Sequence, residues 1–190
     1  MMKAFKRIGC AVVLLLAMAL LTACSDGKTY YERAMENIPL PKGCSRWQYL
    51  PNDYDGDGEI EVFAFGGEEE RDWKYLEVYY IDPQGNVKQV LSDSGLRGGP
   101  HGVKSDFSDC YLMVGKNKYA MFDVGSVYGS CGYTMVLGVY NKKPFVDYVD
   151  GTIDGVTSDG HVMVGGIEVE YVYAIRNGQF ELVGEIYPEE

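Results

Sequence analysis

A nine-residue acidic segment from Asp53 to Glu61 has the residue types and spacing of a cation-binding loop. Its sequence is DYDGDGEIE, with carboxylates at positions 1, 3, 5 and 9 and a glycine at position 6. Carboxylates at alternate positions point inward when the backbone winds around one point, and the glycine permits a sharp turn. Position 7, which is Glu59, offers a backbone carbonyl. Hard oxygen ligands in this number suit Ca²⁺ better than Zn²⁺ or a transition metal.

The segment differs from an EF-hand. An EF-hand requires a bidentate acid at position 12, which here is Ala64, and a helix after the loop, whereas residues 60–65 predict a strand. Without a cation, acidic side chains packed this densely would repel one another. The alternative interpretation is an Asp/Gly-rich turn that binds no ion.

The loop resembles the integrin-type DxDxDGxxD/E loop of FG-GAP repeats, which leads directly into a strand. With Tyr49 and Leu50 before it, the segment is similar to a module of Gram-positive bacterial lipoproteins in which hairpins follow the acidic loop. The resemblance implies a structural Ca²⁺ and a propeller-like fold. It implies that Glu59 ligates through its carbonyl and that four residues ligate through side chains: Asp53, Asp55, Asp57 and Glu61.

A second chemical feature is Cys24, which follows Leu21-Thr22-Ala23. Upstream, three basic residues precede an uncharged apolar run of 14 residues, 8–21, which is shorter than the roughly 20 that a spanning helix needs. The segment resembles the lipobox of bacterial lipoprotein signals. The resemblance implies that residues 1–23 are removed and that Cys24 becomes a diacylglycerol-linked, acylated N-terminus, anchored in the membrane outside the cytoplasm. The alternatives are an uncleaved anchor and a signal without lipid.

Removal of residues 1–23 leaves 167 of the 190 residues, enough for one domain and short for two. The basic residues fall from 17 to 14 while all 28 acidic residues remain, so the net charge becomes −14. This balance argues against nucleic acid and anionic membrane surfaces as partners, and it is compatible with binding cations.

Three further cysteines remain in the mature chain: Cys44, Cys110 and Cys131. An odd number in an oxidising compartment indicates either one disulfide with a free thiol or three buried thiols. Cys110 and Cys131 both precede predicted strands after Gly/Ser-rich turns, so they form the predicted pair. The spacing does not match a zinc ligand set.

The elements that position these residues are predicted to be short strands after one short helix. Thr29 and Glu32 have the spacing of a capping box, and the prolines after residue 38 end the helix. From Trp47 onward apolar runs alternate with turn sequences, among which Asn177-Gly178 is the strongest hairpin signal. The predicted strands are 60–65, 75–81, 87–91, 111–114, 119–124, 134–140, 145–149, 169–175 and 179–183. Residues 92–104 are predicted to form one long loop.

Three predicted hairpins share an aromatic-rich strand, a polar turn and an apolar return strand: 75–91, 134–150 and 170–184. Their irregular spacing indicates a weak repeat. We predict a tether at residues 24–28 and a single all-β domain over residues 29–190. Its hairpins form a meander with a propeller-like, FG-GAP-like architecture, and a β-sandwich is the alternative fold.

Other candidate sites have weaker signals. The small residues around Cys131 resemble the run around a papain-type cysteine, with His161 as a conceivable base, but residues 133–140 predict a strand where that family has a helix. His101 lies in a Gly-rich loop, where an exposed turn histidine is the default. We therefore predict a non-enzymatic, calcium-stabilised binding module whose protein or glycan partner the sequence does not specify. The alternatives are a glycan-binding module and a hydrolase or its accessory protein that uses the 97–101 loop.

Overall fold

A computed structural model of the chain describes residues 27–41, 44–67, 76–93, 96–97, 111–126, 132–166 and 168–187. Within these ranges the protein is all-β with one short helix, as the sequence predicts. The described residues include no helix with the length and hydrophobicity that crossing a bilayer would require. The helix is α1, Tyr30–Met35. The strands are β1 Arg46–Asn52, β2 Glu61–Gly67, β3 Leu76–Ile81, β4 Val87–Asp93, β5 Leu96–Arg97, β6 Tyr111–Val114, β7 Asn117–Ser126, β8 Gly132–Tyr140, β9 Lys143–Asp150, β10 Thr152–Val156, β11 Val162–Gly165, β12 Glu170–Arg176 and β13 Gln179–Ile186.

Helix α1 begins with the predicted capping box. The Oε2 atom of Glu32 accepts hydrogen bonds from the backbone N of Thr29 at 2.6 Å and from its hydroxyl at 2.8 Å. In return, the backbone N of Glu32 donates to the hydroxyl of Thr29 at 3.3 Å. This reciprocal pair satisfies donors that the first helical turn leaves without partners, so the sequence prediction of the helix start is confirmed.

The strands form three antiparallel sheets that follow one another along the chain. Sheet 1 has the order β1-β2-β3-β4, and sheet 3 has the order β10-β11-β12-β13. Sheet 2 has the order β5-β7-β8-β9, with β6 also paired to β7. Each sheet is therefore built from strands close together in sequence, as expected of a meander whose hairpins are closed by short turns.

The three similar hairpins predicted from the sequence occupy equivalent places in these sheets. They correspond to β3-β4, β8-β9 and β12-β13, which are the last two strands in the order of sheets 1, 2 and 3. The weak sequence repeat therefore has a structural counterpart, a four-strand meander that occurs three times.

Sheet 2 is buried on both faces. One face shares a hydrophobic cluster with sheet 1, which includes Phe65 and Phe122, whose ring centroids lie 5.9 Å apart. The other face shares a second cluster with sheet 3, which includes Val136 and Val164. Consecutive residues of β8 are accordingly buried, the pattern of a strand covered on both sides.

The structure differs from the sequence prediction in several places. Strand β1, before the acidic loop, was absent from the predicted strands, and helix α1 ends at Met35, before the prolines that were predicted to end it. Strands β10 and β11, the first half of sheet 3, were not predicted. Both strands alternate in burial, but β10 contains an irregularity between Ile153 and Gly155, and β11 has only four residues, none of them polar. Their residue types therefore give too short a pattern for a strand prediction. The segment 92–104, predicted as one loop, contains the two-residue strand β5 and the end of β4.

Candidate metal centre

The acidic loop joins β1 to β2, and the pairing of these strands closes it. In the register of this pair Asn52 lies opposite Glu61, so the two ends of the nine-residue segment are adjacent. This pairing brings the acid at position 9 back to the acid at position 1. The predicted strand after the loop is confirmed, since β2 begins at Glu61.

Tyr54, the second residue of the loop, anchors the loop in the core. Its side chain is 0% exposed, its ring packs edge-on against Phe63 at a centroid distance of 5.0 Å, and its hydroxyl donates to the carbonyl of Leu50 at 3.0 Å. Its carbonyl accepts a hydrogen bond from the backbone N of Lys118 in β7 at 2.9 Å. The loop is thereby attached to sheets 1 and 2. Sequence reasoning missed this residue, although a lone aromatic side chain between acids was the signal available.

Backbone geometry winds the loop as the spacing predicts. Gly56 and Gly58 both have positive φ, at 70° and 92°, and a Cβ atom on Gly56 would lie 2.7 Å from the carbonyl oxygen of Lys116. The two carboxylate oxygens of Asp53 accept hydrogen bonds from the backbone N atoms of Asp57 and Gly58, each at 3.0 Å. Glycine is required at Gly56 by both conformation and space.

Three of the predicted ligands converge. Oxygen atoms of Asp53, Asp55 and Glu61 all lie within 4.8 Å of one another. The side chain of Asp55 is 8% exposed, and its Oδ1 atom is buried and has no hydrogen-bond partner among the described residues. A buried carboxylate oxygen without a partner is costly, whereas a cation placed among the three carboxylates would satisfy it.

The electrostatics of Glu61 also favour a cation. Its side chain is 3% exposed, and burial, with smaller contributions from the negative charges of Asp55, Asp57 and Asp53, raises its pKa from 4.5 to about 7. A hydrogen bond from the backbone N of Tyr54 at 2.9 Å opposes this rise. A divalent ion would reverse the balance, because it attracts the ionised carboxylate that burial and neighbouring charges disfavour.

The two other predicted ligands stand differently. The side chain of Asp57 is exposed and does not belong to the converging group. The side chain of Glu59 is also exposed, but Glu59 was predicted to ligate through its backbone carbonyl, so that contact stays a prediction. One carboxylate oxygen of Asp57 accepts a hydrogen bond from the backbone N of Glu59 at 3.0 Å, which shapes the turn. The residues present therefore fit a hard cation held mainly by Asp53, Asp55 and Glu61.

Several other predicted site residues fall outside the described ranges. These are Cys24, His101, Cys110 and Cys131, so the lipidation site, the predicted disulfide and the conceivable catalytic loop stay predictions. His161 lies in the turn between β10 and β11, where its backbone N donates to the hydroxyl of Thr157 at 2.9 Å and its Nδ1 lies 3.2 Å from a carboxylate oxygen of Asp159.

Comparisons with known proteins found no family model, curated protein or solved structure that matches the chain. The interpretation of the loop therefore depends on its own residues and geometry.

Proposed function

We propose that this chain is a calcium-stabilised, non-enzymatic binding module that a lipid on Cys24 holds at the outer side of a bacterial membrane. The observation that carries the calcium part is the carboxylate of Asp55. Its Oδ1 atom is buried without a partner in the described chain, and one of its oxygens lies within 4.8 Å of oxygens of Asp53 and Glu61. Ca²⁺ supplies positive charge to carboxylate oxygens and accepts six to eight of them in flexible geometry.

The position of the loop supports a stabilising role for the ion. Tyr54 attaches the loop to the core, and Glu61 begins a buried strand of sheet 1. A cation that binds this loop would hold β1 and β2 together and would favour the folded state over the unfolded chain, in which the three carboxylates are apart.

A propeller-like arrangement belongs to the same proposal. Three four-strand meanders in chain order, with the second packed between the first and third, are what successive propeller blades would provide. The non-enzymatic role is favoured by His161, whose contacts are with its own turn.

Thermal unfolding with and without calcium tests the proposal. At 100 times the dissociation constant, a ligand that binds only the folded state adds roughly 2.7 kcal/mol, which corresponds to a rise of roughly 5–10 °C in melting temperature for a domain of this size. Mg²⁺ at equal concentration is expected to substitute poorly, because it demands a tighter octahedral geometry. An unchanged melting curve between chelator and millimolar Ca²⁺ would show that the loop is an acidic turn without an ion.

Anchoring is tested separately. Replacing the predicted acceptor, as in Cys24→Ser, is expected to abolish labelling by a palmitate analogue and to leave an uncleaved precursor, because the thiolate is the group that takes the lipid. Labelling and cleavage that persist in this variant would contradict the lipobox interpretation without affecting the calcium site.

A further inference from the structure

An open cleft of about 440 Å³ lies between the β8-β9 hairpin of sheet 2 and strand β12 of sheet 3. Four tyrosines dominate its walls, and the acidic loop contributes nothing to it. The described residues that line it are Tyr133, Tyr148, Val149, Asp150, Tyr171 and Tyr173. Because pleated strands place alternate side chains on one face, Tyr148 and Asp150 line the same side of the hairpin, and Asp150 pairs with Tyr133 across it.

The tyrosine rings form inclined walls. The rings of Tyr133 and Tyr148 have centroids 5.6 Å apart and planes at 81°, and the rings of Tyr171 and Tyr173 have centroids 6.5 Å apart and planes at 45°. Within each pair the rings are inclined to each other, so neither pair forms the single flat aromatic face on which a sugar ring stacks best. Inclined rings can contact a compact group from more than one side, as the rings of aromatic cages do.

The cleft is also electronegative. Asp150 is part of the lining, and the described lining residues include no lysine or arginine. The hydroxyl of Tyr148 donates to a carboxylate oxygen of Asp93 at 3.0 Å, which places a second negative charge beside one of the lining tyrosines. Burial, with smaller contributions from Tyr171 and Asp150, raises the pKa of Tyr173. The faces of neutral phenol rings attract cations, and both carboxylates add to that attraction.

We propose that this tyrosine cleft binds an organic cation, namely a methylated ammonium group with a short polar substituent such as choline. The inference rests on the proposed binding role of the chain and names the site and ligand class of that role. Aromatic rings supply cation–π contacts, Asp150 supplies the compensating charge, and the net charge of −11 for the whole sequence favours the approach of cations.

Calorimetry on the calcium-saturated protein tests the cleft with matched ligands. Choline is the probe, and 3,3-dimethylbutan-1-ol, which has the same shape without the charge, is the control ligand. Choline is expected to bind at least about tenfold more tightly than the neutral alcohol, because the ring faces and Asp150 act on the charge. Equal affinity for the two would overturn the proposal, since it would show an apolar cleft without cation selectivity.

Three single substitutions test whether choline binds in this cleft. Tyr148→Leu removes one wall at a side chain that is 37% exposed, so folding is expected to survive, and choline affinity should fall about fivefold to tenfold. Asp150→Asn should lower it severalfold through loss of the charge alone. Asp159→Asn, an exposed acid outside the lining, is the control and should leave affinity unchanged. Equal losses in all three variants would overturn the assignment to the cleft.

Two further comparisons complete the test. The first distinguishes a lipid headgroup from a free amine as the ligand, and the second distinguishes failure of the cleft proposal from failure of the calcium proposal. Choline that competes with phosphatidylcholine vesicles would support a headgroup ligand, and choline binding without vesicle binding would support a free amine. Vesicle binding without choline binding would overturn the proposal. Absence of choline binding with an intact calcium-dependent melting shift overturns the cleft alone, whereas choline binding without that shift overturns the calcium site alone.

Discussion

The Oδ1 atom of Asp55 is buried without a hydrogen-bond partner in the described chain, and a carboxylate oxygen of Asp55 lies within 4.8 Å of oxygens of Asp53 and Glu61. Ionised carboxylates at such separations repel by on the order of a few kcal/mol, so the metal-free protein contains an unfavourable arrangement of charge. The same arrangement becomes favourable when a divalent cation lies among the oxygens. A single substitution should therefore have opposite effects in the two states.

We expect Asp55→Asn to change the melting temperature in opposite directions relative to the wild type without and with calcium. Without calcium its melting temperature should equal or exceed that of the wild type, because a buried negative charge is removed at constant size. With calcium the wild-type rise of roughly 5–10 °C should shrink, because a neutral amide oxygen replaces a charged ligand and weakens calcium binding.

The matched control is Glu59→Gln, which removes one negative charge from the same loop. The side chain of Glu59 is exposed and lies outside the converging group, so the calcium response should persist. If Glu59→Gln also lost the calcium-dependent rise in melting temperature, calcium binding would depend on the total charge of the loop rather than on specific ligands. Melting curves recorded in chelator and in millimolar Ca²⁺ give the calcium-dependent change in melting temperature of both variants.

The pKa of Glu61 sets a pH dependence in the metal-free protein. Burial and neighbouring carboxylates raise this pKa from 4.5 to about 7, so the folded state holds the proton more tightly than the unfolded chain. The stability that Glu61 contributes is present below the unfolded pKa and is lost as the pH rises toward 7. The loss amounts to at most about 3 kcal/mol.

The measurement compares melting temperatures of the wild type and Glu61→Gln between pH 4.5 and 8 in metal-free buffer. The difference between the two profiles isolates Glu61 from the other carboxylates. The wild type should lose stability relative to the variant as the pH rises, and saturating calcium should remove this loss by holding Glu61 ionised. A wild type that gains stability relative to the variant over this range would contradict the pKa assignment.

The sequence predicts part of this site. The spacing of acids and glycines identifies the loop, and the positive φ of Gly58 agrees with the sharp turn expected at position 6. The spacing does not reveal that Tyr54 is buried or that the side chain of Asp57 is exposed, because both depend on how the loop packs against β7 and the core. Burial of a loop residue is a tertiary property that local periodicity does not contain.

At the scale of elements, turn chemistry makes the hairpins predictable. Asn177, with φ of 54°, precedes Gly178 in the turn between β12 and β13, as the Asn-Gly signal indicates. Turn signals also flank β10 and β11, since Asp150-Gly151 precedes β10 and Asp159-Gly160 joins the two strands, with positive φ at both glycines. Sequence reasoning missed these strands because each is short and the register of their pairing shifts at Ile153/Gly155.

Close packing within sheet 2 yields a prediction for Gly138 in β8. A Cβ atom at this position would lie 2.3 Å from Cδ1 of Tyr119 and 2.9 Å from Cζ of Phe145. The rings of Tyr119 and Phe145 pack edge-on across this glycine at a centroid distance of 5.5 Å. We expect Gly138→Ala to lower the free energy of unfolding by about 1–3 kcal/mol, as overpacking of a core does.

Chemical denaturation of the Gly138→Ala variant, compared with that of the Gly184→Ala variant, checks this prediction. Gly184 also lies in a strand, but a Cβ atom there would have its nearest neighbour, Cβ of Val172, at 3.7 Å, which is an ordinary contact. Gly184→Ala should therefore change stability by less than about 1 kcal/mol. If both substitutions lowered the free energy of unfolding by similar amounts, strand propensity rather than the contact with Tyr119 would explain the loss at Gly138.

At the scale of the whole molecule, sheet 2 connects the acidic loop to sheet 3. The loop is attached to β7 by the hydrogen bond from Lys118 to Tyr54, and β7 and β8 contribute to both hydrophobic clusters. The backbone N of Phe180 in β13 donates a hydrogen bond to a carboxylate oxygen of Asp147 in β9 at 2.7 Å. Sheets that share a buried sheet in this way are expected to unfold together.

Cooperative unfolding would transmit calcium binding to strands far along the chain from the loop. At calcium concentrations about 100 times the dissociation constant, amides that exchange only through global unfolding should exchange roughly 100-fold more slowly. Hydrogen exchange should therefore show this slowing in β12, at the centre of sheet 3, as well as in β2 beside the loop. Asp55→Asn is the control and should reduce the slowing in both strands, because it weakens calcium binding. Slowing confined to β2 would show that sheet 3 opens independently, and the calcium loop would then stabilise sheets 1 and 2 alone.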